Sequence, residues 1–357
     1  MKLSTLVSKF KLIIAFGLFL GIILINNSCS AQNNDKQFQV ACISFYNIEN
    51  LFDTIKTPGV NDIEFTPEGT NRWNSAKYLK KLENMADVIS QIGTDLTPDG
   101  PAILGLSEIE NRTVIEDLIA QPKLKDRNYQ IVHYDSPDLR GVDVGLIYNP
   151  NYFKVLSSNS YRLNIPGNDS FLTRDQLLVS GELLGERIHV IVCHWPSRRN
   201  GEKKSRPSRI AAAELARSII DSISASEPGA KVFLMGDLND DPVNVSVKEY
   251  LKAKGVQSKL KDGDLFNPFE DFYRRGIGSL AWRDSWNLFD QIIFTQSPLK
   301  ASGQALKFHK AGVFNKKFLR QQEGRFQGYP LRTYAGGVYM GGYSDHFPVY
   351  IFLIKEI

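Results

Sequence analysis

The densest group of chemistry-bearing residues is Gly236-Asp237-Leu238-Asn239-Asp240-Asp241-Pro242. It follows the apolar run Val232-Phe233-Leu234-Met235, whose length and lack of alternation read as a buried strand. The segment delivers a carboxylate, Asp237, and a carboxamide, Asn239, at one end of a sheet. Two residues apart, they point the same way wherever the backbone is extended. An acceptor beside an amide that both donates and accepts suits a water molecule next to a phosphate. The same residue types also suit a plain Asx-rich turn closing a strand. What favours chemistry is the recurrence of such clusters.

Asn47 and Glu49 follow a strand-like run from Phe38 to Tyr46, and Glu108 follows Ala102 to Leu106. His194 follows Ile188 to Cys193, Asp290 lies in Leu288 to Phe294, and Asp345-His346 precede Phe347 to Leu353. Glu49, Glu108 and Asp345 are hard oxygen ligands and Asn47 is a neutral one. Without a thiolate cluster, that set suits Mg²⁺, Mn²⁺ or Ca²⁺ better than Zn²⁺. His194 and His346 can each carry a proton near neutrality. Asp290 could fix the tautomer of the His346 ring. Asp237 could polarise a water that Asn239 orients, and a metal ion would neutralise charge developing on a phosphate. Together these are the parts of a phosphoester hydrolase.

Other residues carry blander readings. The basic loop Arg198, Arg199, Lys203, Lys204, Arg206 and Arg209 is either solvated or, directly after His194, holds phosphates. His133 and His189 lie within strands and read as packed or surface residues; His309 gets no role. Trp73 and Trp195 could stack on a base but read as buried. A serine nucleophile is unsupported, because no Gly-x-Ser-x-Gly elbow occurs.

These residues need a sheet rim to meet on. Helical spacing of Leu79, Leu82, Met85, Ala86, Ile89 and Ile92 predicts a helix from Ser75, as cap, to about Ile92. A short helix is expected near Val114 to Ala120. Tyr129 to His133 and Val142 to Tyr148 read as paired strands, and Phe153 to Tyr161 and Leu177 to Leu184 as further strands. Pro207 is expected to open a helix running to about Ser224. Ser246 to Ala253 reads as helical, Gly255 to Asn287 as irregular, and Gln296 to Tyr343 as poorly patterned. Strands with helices between them, and no break in composition over 357 residues, predict one α/β domain at 38–357. Strand-end side chains of such a core converge on one rim. The expectation is a monomer. Cys42 and Cys193 sit in apolar runs and read as small buried hydrophobes.

The first 31 residues read as a leader, followed by a polar linker at 32–37. Lys9 and Lys11 precede an apolar run from Leu12 to Ile25, shorter than the ~20 residues of a membrane span. Small residues Cys29-Ser30-Ala31 follow. Cleavage before Cys29 would leave a lipid-anchored protein, although Asn26 stands where a lipobox usually has a branched apolar residue. Cleavage after Ala31 would release a soluble one. Either route exports the chain, to an outer-membrane or periplasmic lipoprotein or a secreted protein. Removing Lys2, Lys9 and Lys11 lowers the formal charge from +4 to about +1, so any grip on a polyanion must be local.

In this order, the segments resemble the endonuclease/exonuclease/phosphatase superfamily, the deoxyribonuclease I-like fold, in its exported bacterial branch. The resemblance rests on Tyr46-Asn-Ile-Glu-Asn-Leu-Phe52, Ser107-Glu-Ile-Glu-Asn111, Arg140-Gly-Val-Asp-Val144 and Cys193-His-Trp-Pro-Ser197. Gly236-Asp-Leu-Asn-Asp-Asp-Pro242, Asp290-Gln-Ile-Ile-Phe294 and Ser344-Asp-His-Phe-Pro348 complete it. It implies a four-layer α/β/β/α sandwich and divalent-metal phosphoester hydrolysis, with Mg²⁺ as the expected ion and nucleic acid as the expected substrate. By position, Glu108 would bind the metal beside Asn47 and Glu49, with Asp345 near it. Asp237 and Asn239 would handle water and phosphate, and Asp290 and His346 would pair. Arg140 would contact phosphate, with Asp143 in support. His194 is similar to branches with a second histidine: secreted nucleases, sphingomyelinases and inositol-phosphate phosphatases. It departs from abasic-site endonucleases. The alternatives are a phospholipid headgroup hydrolase or phosphatase, or a non-catalytic surface binding module.

Overall fold

The computed structural model describes residues 37–357 apart from 166, 169 and 200. The leader, linker residues 32–36 and Cys29 lie outside the described residues. Phe38–Ile357 forms one compact unit.

The strand Phe38–Leu51 organises the first sheet. It pairs antiparallel with Val349–Glu356 and parallel with Ile103–Ile109. Lys307–Val313 extends this sheet on one side, and Asp143–Tyr148 with Gln130–His133 extend it on the other. The second sheet runs in the order Phe153–Tyr161, Gln176–Leu183, Glu186–His194, Val232–Asp237, Asp290–Phe294, Leu265–Phe266, Ala253–Lys254. Within it, Glu186–His194 and Val232–Asp237 are parallel, while Asp290–Phe294 returns antiparallel.

Period-2 alternation along the first strand explains the layering. Ala41, Ile43 and Phe45 face a core shared with Val190, Val192, Phe233 and Met235 of the second sheet. Cys42, Tyr46 and Ile48 face the other way, onto the helices Ser75–Ile89 and Arg112–Ile119. On the far side of the second sheet, Ile191, Cys193 and Leu234 pack against Ala212, Ala216 and Ile219 of the helix Glu202–Ser226. The result is the four-layer α/β/β/α sandwich. Cys42 and Cys193 are buried and unpaired.

Several elements differ from the sequence expectation. Asn74, not Ser75, caps the first helix, its side chain accepting from the Lys77 amide at 3.1 Å, and the helix ends at Ile89. The Glu202–Ser226 helix begins five residues before Pro207 and holds it in its second turn. There the missing N–H removes one early bond without breaking the helix. Residues expected to be helical at 246–253 form one π-helical turn, Ser246–Tyr250. The segment expected to be irregular contains a helix, Phe269–Arg274, and a hairpin, Leu280–Trp282 with Ser285–Asn287. Arg283 and Asp284 make its tight turn, both in left-handed backbone, a two-residue connection that carries none of the usual Asn-Gly signal.

Candidate active site

Topology alone brings the polar strand ends together. Phe38–Leu51 and Ile103–Ile109 are parallel, so their C-terminal ends reach the same rim. The antiparallel Val349–Glu356 starts there, just after Asp345-His346. In the second sheet, His194 is in register with Asp237, and Asp237 with Asp290.

Local backbone distortions then aim the side chains. Register shifts interrupt the ladders between Asn47 and Leu51 and between Ser107 and Ile109. Glu49, Asn50 and Glu108 occupy left-handed backbone there, with φ of 49°, 55° and 60°. Such conformations cost a non-glycine residue of order 1–3 kcal/mol, and bulges of this kind re-aim side chains beside functional sites. Asn239 is a fourth case, with φ of 48°. Its amide donates to Asp237 Oδ1 at 2.9 Å, closing an Asx turn. Asp237 and Asn239 are therefore placed by a turn rather than by the extended alternation expected. Gly236 is required just before it, since a Cβ there would sit 2.1 Å from the Cys193 carbonyl oxygen.

Asp237 is the centre. Its Oδ2 accepts from Asn47 Nδ2 at 3.1 Å and lies 3.5 Å from His194 Nε2 and 3.9 Å from His346 Nε2. His194 Nε2 also stands 4.0 Å from Glu108 Oε1. His346 Nδ1 is 2.6 Å from Asp290 Oδ2, and its Nε2 is 4.0 Å from Asp345 Oδ1. Asn239 Nδ2 donates to the Trp195 carbonyl at 2.9 Å, which fixes its carboxamide. Glu49 Oε2 accepts from the Thr333 amide at 2.6 Å.

These environments push the titrating groups apart. Burial, reinforced by Asp290 and Glu108 and opposed by His346, raises the Asp237 carboxyl to about 7. Burial and then Asp345 push Glu49 up to about 7. Burial disfavours charge on His346, but Asp290, Asp345 and Asp237 outweigh it and hold the imidazolium well above its ordinary range. Burial, with Arg174 and Arg140 nearby, drives His194 well below its ordinary range and keeps it neutral. Two histidines with opposite charge states beside one carboxylate is the pattern that separates acid and base roles.

A model of the Endonuclease/Exonuclease/phosphatase family matches residues 42–355. This chain belongs to the endonuclease/exonuclease/phosphatase family. The family is one of phosphoester hydrolases. Among solved structures, a truncated TDP2 from Caenorhabditis elegans superposes with a TM-score of 0.53 at 17% identity, over 88% of this chain and 97% of that one. An endonuclease/exonuclease/phosphatase family protein from Bacteroides thetaiotaomicron gives 0.53 at 15% identity, over 90% and 97%. The mannosyl-6-phosphatase of Bacteroides thetaiotaomicron gives 0.51 at 16% identity, over 88% and 99%. At these identities the likeness is one of fold. A comparison with curated protein sequences found no match.

Within this endonuclease/exonuclease/phosphatase site, the donors suit a hard divalent cation by their chemical type. Glu49, Glu108 and Asp345 offer carboxylate oxygens, and the crowding of Asp345 against Glu49 is what a bound cation would relieve. Asn47 is turned differently from the expectation. Its Oδ1 accepts the Glu49 amide at 3.0 Å and its Nδ2 holds Asp237, so it positions both neighbours. Elsewhere, His133, Asp135 and Asp143 place ligand atoms within 4.8 Å of one another, a spacing that Glu49, Glu108 and Asp345 do not reach. Asp143 there is already bonded to His133 at 3.0 Å and to the Ser136 amide at 2.9 Å, which braces the turn carrying Arg140.

The three arginines expected on phosphate part company. Arg198 bonds the Asn239 carbonyl at 2.8 Å, Asp240 at 3.1 Å and Asn244 at 3.0 Å, with its guanidinium 4.5 Å from the Phe289 ring centre. It fastens the turn after Asp237 and has little left to offer a substrate. Arg140 is half-exposed, with Asp138 at 3.7 Å, and Arg199 is exposed. Trp73 and Trp195 are buried and unavailable for stacking on a base.

Sequence reasoning missed several contributors. Ser279 donates to Asp290 Oδ2 at 2.5 Å. Arg332 pairs with Asp345 at 3.3 Å. Lys81, 1% exposed, donates to Thr333 Oγ1 at 2.6 Å and the Tyr343 carbonyl at 2.5 Å, behind Glu49. Only Lys81 left a trace: helical spacing puts it on the buried stripe with Tyr78, Leu82 and Met85.

Proposed function

We propose that the chain is a divalent-metal-dependent phosphoester hydrolase, acting as an endonuclease or phosphodiesterase by attack of water on phosphate. The observation that carries the reading is the buried Asp237 carboxylate, ringed at 3.1–3.9 Å by Asn47, His194 and His346. Asp237, raised to about 7, is poised to take a proton from water near neutral pH. The fixed Asn239 carboxamide keeps Oδ1 for orienting that water. His346, held charged by Asp290, faces the charge that builds on phosphate oxygens. Neutral His194 offers a ring N–H without adding charge. Glu49, Glu108 and Asp345 would hold the ion, Mg²⁺ with Mn²⁺ or Ca²⁺ as substitutes. When bound, it would supply charge neutralisation at the phosphate.

The test is direct. Mature protein should degrade plasmid DNA or bis-p-nitrophenyl phosphate with Mg²⁺ or Mn²⁺, and EDTA should stop it. A broad phosphoester panel without metal-dependent turnover refutes the reading.

One observation supports a second reading, a phospholipid headgroup hydrolase. The Leu280–Asn287 hairpin exposes Trp282 by 60%, next to Phe326 and Tyr329 around a largely apolar cavity of ≈ 380 Å³. Faster hydrolysis of sphingomyelin vesicles than of DNA would favour it. In the preferred reading the enzyme works as a monomer outside the cytoplasm, anchored through Cys29 or secreted after cleavage at Ala31. Radiolabelled-palmitate incorporation that depends on Cys29 distinguishes the two.

A further inference from the structure

A second cavity, ≈ 630 Å³, is lined by Asp138, Arg140, Arg174, Pro196, Arg199 and Lys204 among others. It is tied to the catalytic rim through the chain itself. Pro196 and Ser197 of its wall directly follow His194-Trp195, and Arg174 Nη2 donates to the Trp195 carbonyl at 2.8 Å. Among the described residues, its lining carries four cations, Arg140, Arg174, Arg199 and Lys204, against one carboxylate, Asp138. That carboxylate is already taken, by Arg174 Nη1 at 2.9 Å and Arg140 Nε at 3.7 Å.

Among the described residues, neither the Arg199 nor the Lys204 side chain has a hydrogen-bond or ion-pair partner. Two deeper groups are also unsatisfied. Arg174, 6% exposed, has no partner for Nε, and Thr173, 1% exposed, has none for Oγ1. Both atoms are sealed from solvent behind the wall, so the groups open to a ligand are Arg140, Arg199 and Lys204. Guanidinium forks suit phosphate in particular. Phe171, Leu172 and Leu139 supply apolar wall on the remaining sides. The volume is that of a pocket for a small organic group rather than a single ion.

We propose that this cavity is a second-phosphate subsite, which makes the preferred substrate a nucleotide chain bearing a further phosphate next to the scissile one. The inference rests on the phosphoester hydrolase reading and sharpens it. The arginines and lysine that line it attract a phosphorylated nucleoside and repel a choline headgroup.

The experiment compares kcat/KM with Mn²⁺ for a thymidine dinucleotide without terminal phosphate, with a 5′ phosphate and with a 3′ phosphate. Bis-p-nitrophenyl phosphate and p-nitrophenylphosphorylcholine serve as references. One terminal phosphate should raise kcat/KM by about tenfold or more, the scale of one or two charge-assisted hydrogen bonds. In Arg199→Gln/Lys204→Gln that ratio should fall toward unity; both residues are exposed, so folding is not at risk. Turnover of bis-p-nitrophenyl phosphate without any terminal-phosphate advantage overturns the subsite and leaves the hydrolase standing. So does an advantage that the double variant retains, or faster turnover of the choline ester. Silence on every substrate overturns both.

Discussion

His346 Nδ1 lies 2.6 Å from Oδ2 of Asp290, a carboxylate with no exposed surface. Ser279 donates to the same oxygen at 2.5 Å, while Oδ1 has no partner. The carboxylate thus has few hydrogen bonds to share its charge with, and the imidazole is its main counterion.

Replacing that charge should be readable in a pH profile. Asp290→Asn keeps the shape but removes the largest influence holding His346 protonated. The alkaline limb of kcat should move to lower pH, because the imidazolium then loses its proton earlier. kcat at neutrality should fall by about 10²-fold or more, the scale of a lost acid–base partner. His346→Ala should cost at least as much, and near-normal activity in either variant contradicts the charge-sink role.

Asp237→Asn should lower kcat by at least ~10²-fold with little change in KM, because the carboxylate acts on water rather than on substrate binding. A variant that lost affinity instead would put Asp237 on the substrate.

Arg198→Ala tests a structural role against a binding one. Since Arg198 bonds Asn239, Asp240 and Asn244, its loss should lower the thermal midpoint and kcat together. The expected stability loss is about 1–3 kcal/mol, typical of breaking charge-assisted bonds. A raised KM with unchanged melting would return Arg198 to the substrate.

Metal binding should be visible without turnover. Millimolar Mg²⁺ or Mn²⁺ should raise the melting temperature of the wild type, since an ion that binds only the native state stabilises it. In Glu49→Gln and Glu108→Gln that shift should shrink. An equal shift in all three proteins would place the stabilising ion elsewhere, with the His133–Asp135–Asp143 group as the next candidate.

His189 provides a pH effect on stability away from the active site. Burial lowers its pKa, with Glu227 opposing, so the native state holds it neutral. The unfolded chain takes up a proton near its ordinary value of about 6.5. The stability this contributes is present above that value and is lost as pH falls toward the lower native one. His189→Gln should therefore lose less melting temperature than wild type between about pH 7 and pH 5. Parallel curves would contradict this.

Much of the site was legible because its residue types are local facts. Asp237, Asn239, Asp290 and His346 flank apolar runs that read as buried strands, and strand ends of an α/β core share a rim. The two irregular stretches were not legible. The hairpin around Arg283-Asp284 lacks a turn signature, and Lys307–Val313 pairs with a strand far along the chain. Ser279, Thr333 and Arg332 come from those stretches, and no periodicity announces a residue whose partner is distant.

By itself, the sequence determined which groups could act: hard oxygen donors, two histidines and a carboxylate beside an amide, each at the end of an apolar run. Tertiary structure decided their states and aims. Glu49, Glu108 and Asn239 point as they do because bulges and a turn force left-handed backbone, which depends on the neighbouring strand rather than on residue type. His194 is neutral because burial, with Arg174, Arg140 and the charged His346 nearby, disfavours a second cation, while at His346 the carboxylates of Asp290, Asp345 and Asp237 outweigh the same burial, although the chain carries identical side chains at both places. Charge state follows from the local field, and that field exists only once distant segments have been packed together.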